Sequence, residues 1–165
     1  MDVVTIARID KSNWKAACSI NISSEQKRFL SDVAFCLARA YINPYQSEIL
    51  PFVILFNDTV IGFFWITLSG DGLNCVIGGF RIDLQFQRHG YAVSAMKKLK
   101  EFIREKYKGC RSMQVFVDND NEASTRLVSL LGFRKARDQG NETLWVHELQ
   151  AGEYSLIDED FLDDG

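Results

Sequence analysis

No apolar run in the sequence reaches the roughly 18 residues that a membrane-crossing helix needs, so no spanning segment is expected. The start, Met1-Asp2-Val3-Val4-Thr5, lacks a basic region followed by an apolar stretch and does not read as a signal peptide. A cytoplasmic protein is the default expectation. Cys18, Cys36, Cys75 and Cys110 form no C-x-x-C pair and no short cluster with histidine. Neither a metal site nor a disulfide framework is therefore expected, and the thiols should behave as small hydrophobes. Neither His89 nor His147 has a serine or cysteine placed for a triad, which argues against nucleophilic hydrolysis. No basic face with interleaved aromatics is present, so nucleic acid is not an expected partner. Internal repeats and low-complexity segments are also missing.

What is present suits one α/β or α+β domain over residues 1–150. The chain has 165 residues, 47% of them apolar and 25% charged, enough for a real core. Residues 151–165 form an acidic tail with Glu153, Asp158, Glu159, Asp160, Asp163 and Asp164 and no base. Without those six acids the net charge of −3 becomes +3. A mildly basic body favours an anionic small-molecule ligand.

Alternation predicts a strand over Val3 to Ile9, and Ser12-Asn13 an N-cap for a helix from Trp14. Ser23 and Gln26 stand at capping-box spacing, opening a second helix with an apolar series of Phe29, Val33, Phe35, Cys36, Leu37 and Ala40. Asn43-Pro44 ends it. Strands are predicted over Phe52 to Phe56 and Val60 to Leu68, joined by an Asn57-Asp58 turn, and over Leu73 to Ile82. Gly78-Gly79 inside the last of these marks a bulge or a close approach. Next come a helix (Tyr91 to Tyr107), a strand (Met113 to Val117) and a helix (Asn121 to Leu131) stopped by Gly132. A hairpin of Phe133 to Arg137 and Thr143 to Leu149 completes the body. The order β-α-α-β-β-β-α-β-α-β-β implies a mixed, mostly antiparallel sheet of seven strands with helices on both faces.

The junction from Ile82 to Ala92 carries the clearest chemistry. A strand ends, a loop with Asp83, Gln85, Gln87 and Arg88 follows, and Gly90 precedes an amphipathic helix. Unpaired N–H groups and the positive dipole end of a first helical turn make an anion site. The pattern is neither G-x-G-x-x-G nor a Walker loop, and on spacing alone an ordinary glycine loop explains it equally well. Gln87-Arg88-His89-Gly90-Tyr91-Ala92, however, resembles the R/Q-x-x-G-x-G/A pyrophosphate motif of GNAT acetyltransferases. Asn121-Glu122-Ala123-Ser124-Thr125-Arg126-Leu127 is similar to the N-x-x-A/S-x-x-L segment after that superfamily's fifth strand, and Leu131-Gly132-Phe133 to its L/F-G-F ending. The resemblance reaches to about Leu149.

It implies the GNAT fold and acetyl transfer from acetyl-CoA to a primary amine. Phe80, Arg81 and Ile82 would hold the pantetheine. Gln87, Arg88, His89, Gly90, Tyr91, Ala92 and Val93 would hold the pyrophosphate, with Asn121 and Ser124 at the arm. A finer resemblance to spermine/spermidine-type acetyltransferases rests on Gln26-Lys27-Arg28-Phe29, Leu37 to Tyr41, Pro51 to Ile54 and Val60 to Phe63. It implies a polyamine acceptor, for which Glu25, Asp32 and Glu48 are the candidate acids. Two departures stand out. Ala92 replaces the last motif glycine, and Arg126-Leu127-Val128 stands where relatives have R-L-Y. That tyrosine is held to protonate the CoA thiolate, so Tyr91, Ser124 and Asp83 become substitute catalytic candidates. The alternative is a CoA-binding sensor with little turnover. Homodimerisation is left open. Trp14, Trp65, Trp145 and His147 are expected in structural roles.

Overall fold

The computed structural model describes residues 3–43 and 47–149. The acidic tail and Pro44 lie outside the described residues. Seven strands form one sheet, interleaved with four α-helices. They are β1 (Val4–Arg8), α1 (Trp14–Cys18), α2 (Val33–Ile42), β2 (Leu50–Phe56), β3 (Thr59–Leu68), β4 (Asn74–Ile82), α3 (Tyr91–Lys106), β5 (Ser112–Asp118), α4 (Glu122–Leu130), β6 (Arg134–Gln139) and β7 (Glu142–Glu148). The sheet order is β1-β2-β3-β4-β5-β7-β6. All pairs are antiparallel except β4 with β5. This is the mixed, mostly antiparallel sheet that the sequence implies.

Period-two alternation gives the central strands two apolar faces. Phe52, Ile54, Phe64 and Ile66 face α3 and α4, packing with Leu99, Ile103 and Val128. Val53 and Phe63 face the other way, onto Ala17 of α1 and Val33 and Cys36 of α2. Each such buried side chain contributes about 1.5–3 kcal/mol through apolar burial. The β2–β3 turn puts Asn57 at φ 46° and Asp58 at φ 68°, the left-handed pair that a two-residue hairpin demands.

The second expected helix divides in two. Ser23 and Gln26 do form a capping box: Gln26 N–H donates to Ser23 Oγ at 3.1 Å, and Ser23 N–H to Gln26 Oε1 at 3.0 Å. It heads only a 3-10 turn, Gln26–Arg28, and α2 begins afresh at Val33. Asn43 ends α2 in the left-handed conformation, φ 50°. Phe35 does not share the stripe of Val33 and Cys36; it points outward and is 59% exposed. At 100° per residue it falls on the far side of the helix. Trp145 is buried as expected, whereas Trp14 is 44% exposed at the start of α1.

Cys36, Cys75 and Cys110 are buried and Cys18 is exposed. Burial pushes the Cys75 thiol up to about 12 and raises those of Cys36 and Cys110 above their ordinary value. Since the thiolate is the reactive species, native protein titrated with a thiol reagent at pH 8 should show one fast thiol, Cys18. The other three should react only on unfolding. More than one fast equivalent in folded protein would contradict this packing.

Candidate functional site

The site begins with a fault in the sheet. Trp65 lies against the β4 backbone at Gly78 and Gly79, and a Cβ added to Gly78 would collide with its indole. Between Phe63↔Arg81 and Trp65↔Gly78 the β3–β4 register slips, leaving an extra residue on β4, with Gly79 at φ 62°. Such a bulge bends its strand. Accordingly β4 pairs with β5 only over Asn74–Val76 against Ser112–Gln114, after which the two strands part. The remaining β4 edge has no β5 partner, so an extended ligand arm can lie against it as an added strand would.

Two cavities open along this split. The first, about 340 Å³, is lined by Phe80, Arg81, Ile82, Gln87, Arg88, Gly90, Tyr91, Ala92, Val93, Asn121 and Ser124, together with Gln26 and Leu30. The structure thus brings together the expected cofactor residues with one exception. His89 is exposed and does not line the cavity; its ring stacks on Tyr91 at 5.5 Å. Tyr91 is also held by Phe56 (4.7 Å) and Phe86 (6.4 Å). Gly90 caps α3 at φ 79° with open space where a Cβ would stand, and no side chain caps the helix. The N–H groups of Tyr91, Ala92 and Val93 have no acceptor among the described residues, the first such bond being Ser94 N–H to Gly90 O. Three unpaired donors at a positive helix end, bordering a cavity, fit a pyrophosphate.

The loop is fastened from behind. Asp83 takes two backbone N–H groups, Gln85 at 3.0 Å and Asn21 at 2.8 Å, and lines neither cavity. Gln87 Nε2 donates to Ile82 O at 2.8 Å and Gln26 Oε1 at 3.2 Å, tying the end of β4 to the capping-box turn. Asn121 caps α4 through Ser124 N–H at 3.1 Å, and both residues line both cavities. His147 Nδ1 lies 3.1 Å from Gly132 O, the structural role expected of it.

The second cavity, about 260 Å³, shares Phe80, Leu30, Asn121, Ser124 and Leu127 with the first. It adds Gly78, Gly79, Arg28, Phe116, Asp118, Val128 and Glu142. Val128 is both core (5% exposed) and cavity wall. Glu25, Asp32 and Glu48 line neither cavity. Arg28, Asp118 and Glu142 are the charged residues that do line the second cavity; Arg28 belongs to the Gln26-to-Phe29 segment singled out in the sequence, whereas Asp118 and Glu142 carry no motif and become neighbours only through the pairing of β5 with β7. Arg81, buried beneath the bulge, has its pKa lowered by burial, with Cys36 and Asp32 opposing.

Comparison with known proteins gives the family and the fold. The sequence model described as "Acetyltransferase (GNAT) family" matches residues 14–133. None of the curated proteins compared matches the sequence. Among solved structures, AAC(6')-Ib in complex with paromomycin and acetyl-CoA has a TM-score of 0.73 at 14% identity, covering 98% of this chain and 99% of that one. Spermidine N-acetyltransferase from Vibrio cholerae, in complex with CoA and spermine, has a TM-score of 0.67 at 9% identity, with coverages of 88% and 94%. The PaiA N-acetyltransferase from Thermoplasma acidophilum, in complex with coenzyme A, has a TM-score of 0.66 at 12% identity, with coverages of 89% and 99%. At these identities the likeness is one of fold.

The two bonds at Asp83 make a local prediction. Asp83→Ala removes the acceptor of two exposed backbone N–H groups and should lower stability by about 0.5–2 kcal/mol, as loss of a capping side chain does. Asp83→Asn, which keeps an acceptor, should recover part of this. Denaturant melts of the two variants test it; equal stability of wild type and Asp83→Ala would show that the loop is not held from this side.

Proposed function

Because the chain belongs to the acetyltransferase (GNAT) family, we propose that it moves an acetyl group from acetyl-CoA to a primary amine by direct transfer. The observation that carries this is the parting of β4 from β5 beside the three unpaired N–H groups of α3. Gly90 to Val93 hold the pyrophosphate, Phe80 to Ile82 lie along the pantetheine arm, and Asn121 and Ser124 meet that arm from α4. The amine nitrogen displaces the CoA thiolate: the C–N bond forms as the C–S bond breaks, and the amine's proton leaves for solvent or the thiolate. The chain contributes position and backbone dipoles, which are pre-aligned and need no reorganisation. Bound CoA in the structures from Thermoplasma acidophilum and Vibrio cholerae supports this reading.

Within this activity, the sequence resemblance favours a polyamine acceptor. Asp118 and Glu142 are the carboxylates in place to attract it.

Gly90→Val tests the cofactor assignment. The valine Cβ meets open space, and the left-handed φ costs about 1–2 kcal/mol, so the variant should fold. Its side chain then stands where the phosphates approach, and calorimetry should show acetyl-CoA binding lost. Unchanged affinity in a folded variant would remove the phosphate-loop assignment.

The second reading, a CoA-binding sensor with little turnover, draws on Val128, which offers no proton at the cavity wall. Ser124 is the hydroxyl that borders both cavities. Thiol release from acetyl-CoA over a panel of amines separates the readings: release above background identifies an enzyme, and tight CoA binding without release a sensor. For the enzyme, Val128→Tyr places a phenol of pKa about 10 at the wall. General acid help is typically worth about two to four powers of ten, so kcat should rise with acetyl-CoA affinity little changed. A large fall in melting temperature without a gain in rate would assign Val128 to the core alone.

A further inference from the structure

The second cavity passes through the sheet where β4 and β5 part, and its two ends differ in chemistry. Along β5 successive side chains point to opposite faces. Phe116 and Asp118 therefore share one face, and Glu142 joins them there as the cross-strand partner of Asp118. Arg28 and Phe29 line the cavity from the capping-box turn. Val115 and Val117 point the other way and pack with the cluster that α3 and α4 cover. At that end the lining continues with Ile77 of β4, Met96 of α3 and Val128 of α4. Ile77, Met96, Val117 and Val128 are all buried. Arg28 and Glu142 are exposed, and Asp118 is half-buried. The cavity thus has a charged mouth and an apolar inner end.

The first cavity meets the second at Phe80, Asn121, Ser124 and Leu127. With the phosphates at Gly90, the donor's arm runs back along β4 from Ile82 towards Phe80. Its thioester end arrives at this shared wall, with Gly78 and Gly79 beyond it in the second cavity. An acetyl group has a single methyl beyond its carbonyl, and a cationic amine is drawn to the charged mouth. Neither fills the inner end. Apolar walls that face nothing forfeit dispersion contacts, and dry apolar cavities take apolar guests. The cavity's volume of about 260 Å³ equals roughly eight or nine groups of water or methylene size, at ~30 Å³ each.

Resting on the acetyl-transfer reading, we infer that the donor site is built for an unbranched acyl chain of about four to six carbons, acetyl-CoA being its smallest substrate. The chain lies at the inner end between Ile77, Val115 and Val128, and the amine stays at the charged mouth. The bond changes are those of acetyl transfer. The amine nitrogen bonds to the acyl carbonyl carbon as the C–S bond breaks, CoA leaves as the thiolate, and the amine's proton goes to it or to solvent. The inner end adds affinity for the chain and leaves the reacting atoms unchanged.

The test uses the full-length protein, one amine that accepts from acetyl-CoA, and a series of donors: acetyl-, propionyl-, butyryl-, hexanoyl- and succinyl-CoA. Lengthening an unbranched chain does not make a thioester more reactive, so a rise along the series reports the pocket. Burying one methylene is worth about fourfold. Wild-type kcat/KM should therefore rise by about tenfold or more from acetyl- to butyryl-CoA. Succinyl-CoA has the length of butyryl-CoA and ends in a carboxylate. It should fall about tenfold or more below butyryl-CoA, because the inner end offers that charge no partner. Val115→Phe narrows the inner end and should lower rates with butyryl- and hexanoyl-CoA more than with acetyl-CoA. Melting temperatures establish that the variant folds; if it does not, the wild-type series alone decides. A series that is flat or falls from acetyl- to butyryl-CoA overturns the inference and leaves acetyl transfer standing. So does a succinyl-CoA rate equal to that of butyryl-CoA, or a folded Val115→Phe variant that slows all donors equally. If no donor acylates any amine, the transfer reading itself falls, and calorimetry with the same acyl-CoAs decides the pocket. Butyryl-CoA bound about tenfold more tightly than acetyl-CoA supports it, and equal binding overturns it.

Discussion

The contact of Trp65 with the β4 backbone is the constraint on which the rest of the site depends. The indole occupies the volume that side chains at 78 and 79 would need, so both positions are glycine. With no Cβ, Gly79 can take its positive φ, and β4 can carry one residue more than β3 matches. A regular β4 would pair with β5 along its length, as parallel neighbours in a sheet do. The bulged strand keeps β5 for three residues and then leaves it. The gap in the hydrogen-bond ladder is where the two cavities open. Nothing had to be removed from the core to make it: the apolar layers on either face of β2 and β3 stay fully packed beside it.

The surrounding elements make that gap usable. The strand that bends away ends at Ile82, and the loop beyond it must turn α3 so that its first N–H groups meet the opening. Asp83 and Gln87 do this by spending their polar atoms inwards, on Asn21, Gln85, Ile82 and Gln26. A loop bound at both ends can present unpaired donors without collapsing onto them. Tyr91 is clamped by Phe56, Phe86 and His89, which fixes the first turn of α3 from the side. His89 therefore serves the site as a stacking partner, outside the cavity wall. At the second cavity the division of labour differs. There the charged groups Arg28, Asp118 and Glu142 line the cavity itself.

Much of the frame was legible in the chain because it follows from short-range rules. Alternation marked the strands, Asn57-Asp58 the hairpin, Gly132 the end of α4, and Ser23 with Gln26 the reciprocal cap. Gly78-Gly79 announced a close approach before the indole that makes it was known. The motif around Gly90 located a helix start with free donors, since helix termini leave such groups wherever they occur. The expected single second helix was the main misreading. A capping box specifies where a helix may begin but not how far it runs, and the chain breaks again before Val33.

What the sequence by itself determined, then, is the order of elements, the glycines that the bulge requires and the anion-seeking turn at Gly90. Each depends on residues near one another in the chain. The tertiary structure alone decided which charges meet. Arg81 and Gly79 are close in sequence, but Arg39 and Trp65 join them only through packing across layers. Asp118 and Glu142 become neighbours only when β7 inserts beside β5. Glu25, Asp32 and Glu48, chosen for nearness along the chain to a substrate-side helix, line neither cavity. Electrostatic attraction acts through space, and spacing along the chain carries no record of which distant segments the core will bring together.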